Sequence, residues 1–258
     1  MTTIHPTAII HPNAQIADTA TIGPFCVVGE FVSIGDGTVL ESHTTIEGHT
    51  RIGKHNKIGA YASLGGVPQD MKYAGEPTRL EIGDHNTIRE FVSIHIGTVQ
   101  GGGVTKIGDH NWIMGMVHVA HDCIIGNHTI LANYVGLAGH VVVEDYAFLG
   151  GQSGYHQFCR IGAYAMVAAK GAVVQDVAPF MLVGGHPIQL YGLNRERLKR
   201  ENFPAETVSL LKKAYRIYFR SGLSQEEALA ELAPLAAQSL EVNRLLTFIK
   251  ESQRGITR

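Results

Sequence analysis

A six-residue period constrains the fold of this chain more than any other feature of its sequence. Units of six counted from Ile4 begin with an aliphatic residue almost everywhere, and Tyr155 is the one exception. The fifth position of most units is small. An α-helix needs apolar residues spaced near 3.6, and an amphipathic strand needs alternation near 2, so six fits neither. The first positions are Ile4, Ile10, Ile16, Ile22, Val28, Ile34, Leu40, Ile46, Ile52, Ile58, Leu64, Ile82, Ile88, Ile94, Ile107, Ile113, Val119, Ile125, Leu131, Leu137, Val143, Leu149, Tyr155, Ile161, Val167 and Val173.

One large and one small inward residue per six describe short strands that meet at corners. Three such strands close a triangular coil of about 18 residues. Coils then stack at the spacing of hydrogen-bonded strands, about 4.8 Å. The period therefore predicts a mainly β fold, a parallel β-helix built from hexapeptide repeats.

Two segments interrupt the period, residues 65–81 and residues 95–106. Both are polar and rich in glycine. We expect them to be insertions that project from the β-helix as loops, and such loops often carry recognition in solenoid proteins.

The period stops after about Pro179, and helical signals follow it. Pro204 stands where a first helical turn would begin, and Gly222 would close that helix. Ser224 and Glu227 have the spacing of a capping box for a second helix. A third helix is indicated by Val242, Leu245, Leu246 and Ile249. We therefore predict a β-helix over residues 1–185 and a small α-helical domain over residues 186–258.

Composition excludes several classes of protein. With 45% hydrophobic residues the chain has ample material for a core, which excludes disorder. Residues 191–258 carry 12 Lys and Arg against 8 Asp and Glu, a net +4, which suits an acidic partner but is too weak to indicate nucleic acid. No apolar run approaches the roughly 18 residues of a membrane span, and the N-terminus lacks a signal peptide. We expect a soluble, cytoplasmic protein.

The three cysteines, Cys26, Cys123 and Cys159, all occupy the small fifth position. We interpret them as core residues in a reducing compartment rather than as ligands or nucleophiles.

Half of the 14 histidines share one position of the repeat, and a pair departs from this habit. His118 and His121 occupy the sixth and third positions of adjoining units. His140 lies 19 residues after His121, one coil plus one residue, so it should stand beside that pair. His156 follows the exceptional Tyr155. The fourth position, where a corner needs a residue that tolerates positive φ, holds His43, His49, His55, His85, His110, His128 and His140.

Two chemistries could use such a histidine cluster. Three histidines at tetrahedral reach would hold Zn²⁺, as in a hydratase of the γ-carbonic-anhydrase kind. Alternatively one neutral imidazole, with an unperturbed pKa near 6.5, would act as a general base on a hydroxyl. A scaffold without enzymatic activity is a third class, but it would need neither the two insertions nor the histidine pair.

Several motifs together resemble the UDP-N-acetylglucosamine O-acyltransferase family, over essentially the whole chain. They are QDMKYAGEPT within residues 65–79, His95, GTVQGGG at 97–103, His118, AHDC at 120–123, LAGH at 137–140, HQF at 156–158 and GLN at 192–194. The resemblance implies that the β-helix is left-handed and that the chain forms a homotrimer with sites between adjacent β-helices.

The resemblance also implies the reaction. A 3-hydroxyacyl group would pass from acyl carrier protein, where it is a phosphopantetheine thioester, to the glucosamine 3-hydroxyl of UDP-N-acetylglucosamine. This is the first step of lipid A biosynthesis in the cytoplasm of a Gram-negative bacterium. The family needs no bound cofactor and no metal.

Site residues carry over by resemblance. His121 matches the general base and Asp122 its partner, although alternation along a strand predicts that Asp122 points away from His121. The Gly139 N–H matches the oxyanion donor, and Ala169 matches the residue that limits acyl length. Positions that line the sugar-nucleotide and acyl cleft are Asp70, Lys72, His95, His118, His140, His156 and Gln157, with Asn194, Glu196 and Arg200 toward the uridine diphosphate.

Two positions depart from the family pattern, since Ile96 and Glu201 stand where the family often has arginine. Basic residues of the C-terminal segment are expected to dock the acidic carrier protein. They are Lys199, Arg200, Lys212, Lys213, Arg216 and Arg220.

Overall fold

Three parallel sheets form the sides of a triangular prism in the computed structural model, which describes residues 3–258. The strands, in chain order, are β1 Thr3–Ile4, β2 Ile9–Ile10, β3 Gln15–Ile16, β4 Thr21–Ile22, β5 Val27–Val28, β6 Val32–Ile34, β7 Val39–Leu40, β8 Thr45–Ile46, β9 His49–Ile52, β10 Lys57–Ile58, β11 Ser63–Gly66, β12 Arg79–Ile82, β13 Thr87–Ile88, β14 Ser93–His95, β15 Val104–Ile107, β16 Trp112–Ile113, β17 His118–Val119, β18 Ile124–Ile125, β19 Ile130–Leu131, β20 Gly136–Leu137, β21 Val142–Val143, β22 Phe148–Leu149, β23 Gly154–Tyr155, β24 Arg160–Ile161, β25 Met166–Val167, β26 Ala172–Val173, β27 Met181–Gly184 and β28 Gln189–Leu193.

Successive strands along the chain belong to successive sheets. Sheet I runs in the order β1-β4-β7-β10-β13-β16-β19-β22-β25-β27-β28, sheet II in the order β2-β5-β8-β11-β14-β17-β20-β23-β26, and sheet III in the order β3-β6-β9-β12-β15-β18-β21-β24. Each strand pairs in parallel with the strand one coil further on, except that β27 and β28 are antiparallel. The turns between the sheets form three edges of the prism, which we call the I–II, II–III and III–I edges.

The pairing register of the strands explains why an aliphatic residue recurs at every sixth position. Ile4 pairs with Ile22 and Ile58 pairs with Ile88, so aliphatic first positions stack on one another along the prism. Ile22, Ile58 and Ile88 are at most 1% exposed. Burial of each such side chain contributes about 1.5–3 kcal/mol, which makes this column the main source of stability. The predicted hexapeptide β-helix is confirmed.

The exceptional first position and the cysteines also lie inside the prism. Tyr155 is 3% exposed, and its hydroxyl is within hydrogen-bond distance of Ser153 Oγ at 3.0 Å, so the buried polar group has a partner. Burial raises the pKa of the Tyr155 phenol. Cys26, Cys123 and Cys159 are free and buried, as predicted.

The fourth position of the repeat is a left-handed turn residue. Six of the seven histidines predicted there have φ between 54° and 64°. His49 is the exception, so the expectation that most of these histidines are turn residues is confirmed. His49 begins strand β9, and the residue before it, Gly48, takes the positive φ of 58° instead.

Both insertions leave the same edge. They lie between sheet II and sheet III, as a loop over residues 67–78 and a loop over residues 96–103, which contains a 3₁₀ helix at Val99–Gly101. The boundaries predicted from the sequence were too wide. Arg79 pairs with His49 on one side and with Val104 on the other, so the ends of the insertions extend the strands of sheet III.

Four helices follow the strands: α1 Arg195–Arg200, α2 Ala205–Arg220, α3 Gln225–Ala236 and α4 Leu240–Glu251. Pro204 is the N-cap of α2, and Ser224 and Glu227 form both halves of the capping box of α3, as predicted. The short helix α1 was not predicted. The domain boundary proposed at 185/186 falls in the turn between β27 and β28, and it stays a prediction. Among the described residues no helix is long and apolar enough to span a membrane.

Candidate active site

The II–III edge gathers most of the residues singled out in the sequence. Three successive turns, over residues 120–123, 138–141 and 156–159, stack there above the two insertions. They line a groove of about 630 Å³ together with residues of both insertions. The groove is lined by Gln69, Asp70, Met71, Lys72, Thr98, Gln100, His121, His140, Gln157 and Phe158.

A histidine and a carboxylate pair directly in this groove. His121 Nδ1 lies 2.7 Å from Asp122 Oδ2. The expectation that Asp122 would point away from His121 was wrong. Both residues lie in a turn rather than on a strand, and Asp122 has φ of 60°, so strand alternation does not apply to them.

The Asp122 carboxylate is buried and fully bonded. Its side chain has no solvent exposure, and the His121 side chain is 13% exposed. Thr98, in the second insertion, donates its N–H to Oδ1 at 2.8 Å and its hydroxyl to Oδ2 at 2.6 Å. The Asp122 N–H donates to Thr105 Oγ1 at 2.8 Å. Sequence reasoning missed Thr98, because an interrupted period carries no signal for which loop residue turns inward.

His140 stands beside the dyad, as its one-coil spacing predicted. Its ring meets the His121 ring edge to face at 5.1 Å and stacks on Phe158 at 4.4 Å. His140 Nε2 lies 3.8 Å from Asp122 Oδ2. Burial lowers the pKa of His140, and the Asp122 charge offsets part of that effect.

Gly139 lies directly under the His121 ring. A Cβ built on Gly139 would approach Cε1 of His121 to 2.6 Å and Nε2 to 2.8 Å, so a side chain here would displace the imidazole. Within residues 3–258 we find no acceptor for the Gly139 N–H. This N–H is therefore available to a ligand that lies against His121.

His118 and His95 project from neighbouring strands of sheet II. His118 Nδ1 lies 2.8 Å from Ser93 Oγ, and the two imidazoles meet edge to face at 5.0 Å. Burial lowers the pKa of His118. Burial, reinforced by the neighbouring His118 and His121, lowers the pKa of His95 to about 4. His95 Nδ1 is buried without a partner in the described part of the chain.

The first insertion and the uppermost turn complete the groove. Asp70 Oδ1 accepts a hydrogen bond from the Lys72 N–H at 2.9 Å, which shapes the tip of the insertion. Gln157 lines the same groove. His156 belongs to the same turn but is exposed and does not line the groove.

Three predicted residues lie on another edge. Asn194 caps α1 through its side chain and donates from Nδ2 to the Tyr164 carbonyl at 3.0 Å, which places it on the III–I edge. Glu196 and Arg200 belong to the first and last turns of the same helix. The structure of one chain therefore does not bring these three residues into the groove.

Ala169 occupies the third edge, I–II, where it is exposed.

The two residues that depart from the family pattern, Ile96 and Glu201, lie in different surroundings. Ile96 is 3% exposed at the base of the second insertion, and Glu201 pairs with Arg197 at 3.4 Å.

The groove offers zinc a different set of ligands from the three histidines that the hydratase alternative requires. His121, Asp122 and His140 offer ligand atoms within 4.8 Å of one another. This is two imidazoles and a carboxylate, not three histidines, and both carboxylate oxygens already accept hydrogen bonds. A cation would have to displace Thr98 or His121 from Asp122.

Comparison with known proteins gives consistent matches. A family model described as "Udp N-acetylglucosamine O-acyltransferase; Domain 2" matches residues 176–257, and the six-repeat hexapeptide model of bacterial transferases matches residues 105–139. The acyl-[acyl-carrier-protein]--UDP-N-acetylglucosamine O-acyltransferase of Thiobacillus denitrificans is 56% identical over 196 residues, which is 76% of this chain and 76% of that protein.

Solved structures agree over nearly the full length. UDP-N-acetylglucosamine O-acyltransferase from Moraxella catarrhalis superposes with a TM-score of 0.96 at 50% identity, over 99% of both chains. The acyltransferase of Francisella novicida superposes with a TM-score of 0.97 at 43% identity, over 99% of this chain and 94% of that one. The left-handed β-helix that the resemblance implied is the fold of these structures.

Proposed function

The chain belongs to the UDP-N-acetylglucosamine O-acyltransferase family, and we propose that it transfers a 3-hydroxyacyl group from acyl carrier protein to the glucosamine 3-hydroxyl of UDP-N-acetylglucosamine, the first step of lipid A biosynthesis. The observation that carries this proposal is the His121–Asp122 dyad in the groove, with the imidazole against Gly139, whose N–H has no acceptor among the described residues.

The dyad suits a general base. Asp122 accepts a hydrogen bond from the His121 Nδ1–H, which leaves Nε2 as the basic nitrogen. Nε2 takes the proton of the sugar hydroxyl as that oxygen attacks the thioester carbonyl. The carbon–sulfur bond then breaks, the imidazolium returns the proton to the leaving sulfur, and the ester and the free carrier thiol are the products.

Gly139 suits the charge that develops during this attack. Negative charge forms on the former carbonyl oxygen, and the unoccupied Gly139 N–H beside His121 Nε2 is placed to donate to it. Removal of one such donor typically costs about 3 kcal/mol of transition-state stabilisation. No cofactor bound by the protein enters this scheme, since the phosphopantetheine arm belongs to the carrier.

The neighbouring histidines are kept neutral by burial. The pKa values of His95, His118 and His140 all lie below the ordinary value. At neutral pH they therefore add no positive charge that would oppose protonation of His121, and they remain able to bind the sugar nucleotide through neutral ring nitrogens.

A homotrimer would explain why Asn194, Glu196 and Arg200 lie away from the groove within a single chain. The outer row of sheet II is nearly bare where Gly136, Gly154 and Ala172 stack, and a Cβ on either glycine would meet nothing within 4 Å. The outer row of sheet I is bulky and apolar. It consists of Trp112, Ile130, Phe148 and Met166.

These two faces are complementary, and we propose that sheet I of one chain packs on sheet II of the next. With the I–II edges at the threefold axis, the III–I edge of one chain then lies beside the II–III edge of its neighbour. Asn194, Glu196 and Arg200 of the neighbour would reach the groove, at the uridine diphosphate end. Ala169 would lie toward the axis, at the far end of an acyl chain held between the two faces.

The basic side chains of α1 and α2 are the proposed docking surface for the acidic carrier. Arg195, Lys212 and Arg216 share a depression with Tyr191 and Tyr215, and no acidic residue lines it. We place the reaction in the cytoplasm, because the three buried cysteines are free and a reducing compartment keeps them so.

One assay tests the proposal. Purified protein would receive 3-hydroxyacyl carrier proteins of ten, twelve and fourteen carbons with UDP-N-acetylglucosamine, with metal analysis alongside. We expect a base-labile ester at the 3-position of the sugar and a free carrier thiol. Stoichiometric zinc without transfer would favour the hydratase. Light scattering at micromolar concentration should give the mass of a trimer, and a monomeric mass would exclude sites shared between chains.

A further inference from the structure

The second insertion surrounds the Asp122 carboxylate with its backbone. A Cβ on Gly101 would overlap the Asp122 carboxyl group, and a Cβ on Gly97 would come within 2.8 Å of Oδ1. Glycine at these two positions is thus required for the close approach of the loop to the carboxylate. The loop is not merely a wall of the groove, because its interior contact is with the partner of His121.

Thr98 makes the polar contacts of this insertion with Asp122. It is 1% exposed and uses both of its donors on one carboxylate, the N–H on Oδ1 and the hydroxyl on Oδ2. The Thr98 hydroxyl also accepts the Gly101 N–H at 3.2 Å. Since that hydroxyl has one proton, its acceptance from Gly101 leaves the proton directed at Asp122.

We propose that Thr98 is a positioning residue for the dyad, acting on His121 through Asp122; this rests on the proposed role of His121 as general base. Its two hydrogen bonds hold the carboxylate plane so that Oδ2 faces His121 Nδ1. Without the hydroxyl, Oδ2 has a free lone pair, and His140 Nε2 at 3.8 Å is the nearest competing nitrogen. Asp122 would then divide its hydrogen bonding between two histidines, and His121 would lose its fixed tautomer.

The Thr98 hydroxyl also affects how much of the negative charge of Asp122 is available to stabilise a protonated His121. A donor on Oδ2 withdraws charge from the side of the carboxylate that stabilises the imidazolium. Loss of this donor stabilises the imidazolium further, so the acid limb of the kcat profile should move to higher pH. The other titratable groups around the dyad are His95, His118, His140 and Asp70, and the variants leave all four side chains in place.

The test compares Thr98→Val, which keeps the shape and loses the hydroxyl, with Thr98→Ser, which keeps the hydroxyl. For Thr98→Val we expect kcat to fall roughly 10- to 100-fold, by analogy with the loss typical when an outer partner of a metal-ligating histidine is removed. KM for UDP-N-acetylglucosamine should stay within about twofold of the wild-type value, because both hydrogen-bond donors of Thr98 bind Asp122 and none is left for the substrate. Thr98→Ser should restore both kcat and the position of the acid limb.

The matched control is Thr44→Val, at a buried threonine of an N-terminal coil whose single hydroxyl proton lies within hydrogen-bond reach of two backbone carbonyls, those of Glu41 and Gly59. It should lower the melting temperature and leave kcat and the pH profile unchanged. If Thr98→Val does not fold, Thr98→Ala, which also lacks the hydroxyl but needs less space, takes its place.

The outcomes separate this inference from the proposed function. If wild-type protein transfers no acyl group, or if His121→Ala keeps full activity, the function itself is wrong. If wild type is active, His121→Ala is inactive, and Thr98→Val keeps kcat and its acid limb, then Thr98 does not position the dyad. A loss of kcat that Thr98→Ser fails to restore also overturns the inference.

Discussion

The II–III and III–I edges of the prism use histidine at the same position of the repeat, in very different surroundings. On the III–I edge seven rings stack along successive coils with centroids 4.7–5.5 Å apart. They are His55, His85, His110, His128, Tyr146, Tyr164 and Phe180. On the II–III edge His140 also stacks, on Phe158, but the turn below it holds Asp122 in place of a ring.

The difference comes from the two insertions, which interrupt the II–III edge and leave the III–I edge regular. The III–I edge has no insertion as far as β25, so each turn meets a copy of itself and the rings stack. The II–III edge loses two turns to insertions, and the second insertion supplies donors that let a carboxylate be buried where a ring would otherwise stack. A buried carboxylate beside an imidazole creates reactivity that a stack of imidazoles lacks.

Substitution of one histidine on each edge should give the largest contrast. We expect His121→Ala to lower kcat by about 10² to 10⁴, roughly 3 to 5 kcal/mol, since it removes the proposed general base. His55→Asn, at the N-terminal end of the ring stack on the III–I edge, should keep wild-type kcat. Steady-state transfer rates measure this, with circular dichroism as the check on folding. If His121→Ala kept more than about a tenth of the activity, the base would lie elsewhere.

The I–II edge provides a smaller effect, on acyl length. Ala169 is exposed there and is not a core residue, so its methyl group is free to meet a substrate held between chains. Obstruction of one or two methylenes, each worth ~0.8 kcal/mol, should discriminate by roughly 4- to 15-fold against the fourteen-carbon donor. Ala169→Gly should shift the preference to longer chains.

Competition between ten-, twelve- and fourteen-carbon donors measures this preference. A fourteen-carbon preference in the wild type that Ala169→Gly leaves unchanged would remove Ala169 as the determinant of length.

The ring stack should contribute stability without activity. His110 stacks between His85 and His128 at 4.8 and 4.9 Å, and its φ is 57°. His110→Asn keeps a residue that tolerates positive φ and loses both stacking contacts, so we expect the free energy of unfolding to fall by about 0.5–1.5 kcal/mol. Denaturant unfolding would show this, with kcat unchanged. An unaltered unfolding midpoint would mean that the stack is only a geometric consequence of the repeat.

The site edge should also limit stability at low pH. His95 has a pKa of about 4 in the native state against 6.5 for the free side chain, so between these values the unfolded chain binds a proton that the native state excludes. Stability should therefore decrease as pH falls from 6.5 toward 4, and His95→Asn should make the melting temperature less dependent on pH in that window. His55→Asn is the control for a histidine outside the site. Equal slopes for wild type and His95→Asn would contradict the lowered pKa.

The sequence alone determined the architecture and the neighbourhood of the site. A period of six is a covalent pattern, and burying its aliphatic column leaves one arrangement, so the β-helix, the turn histidines and the buried cysteines all follow from it. The capping box at Ser224 and Glu227 is equally local. The position of His140 beside His121 followed from counting one coil.

The tertiary structure determined the side-chain contacts of the site, which these sequence patterns do not specify. Asp122 meets His121 because its turn conformation, φ 60°, redirects a side chain that strand alternation would have pointed away. Thr98 reaches Asp122 across 24 residues from a segment without a period. Asn194 lies on a different edge from the groove because α1 docks on Tyr164. In each case the contact joins segments whose relation depends on loop conformation and docking, and neither is encoded in the spacing of the residues themselves.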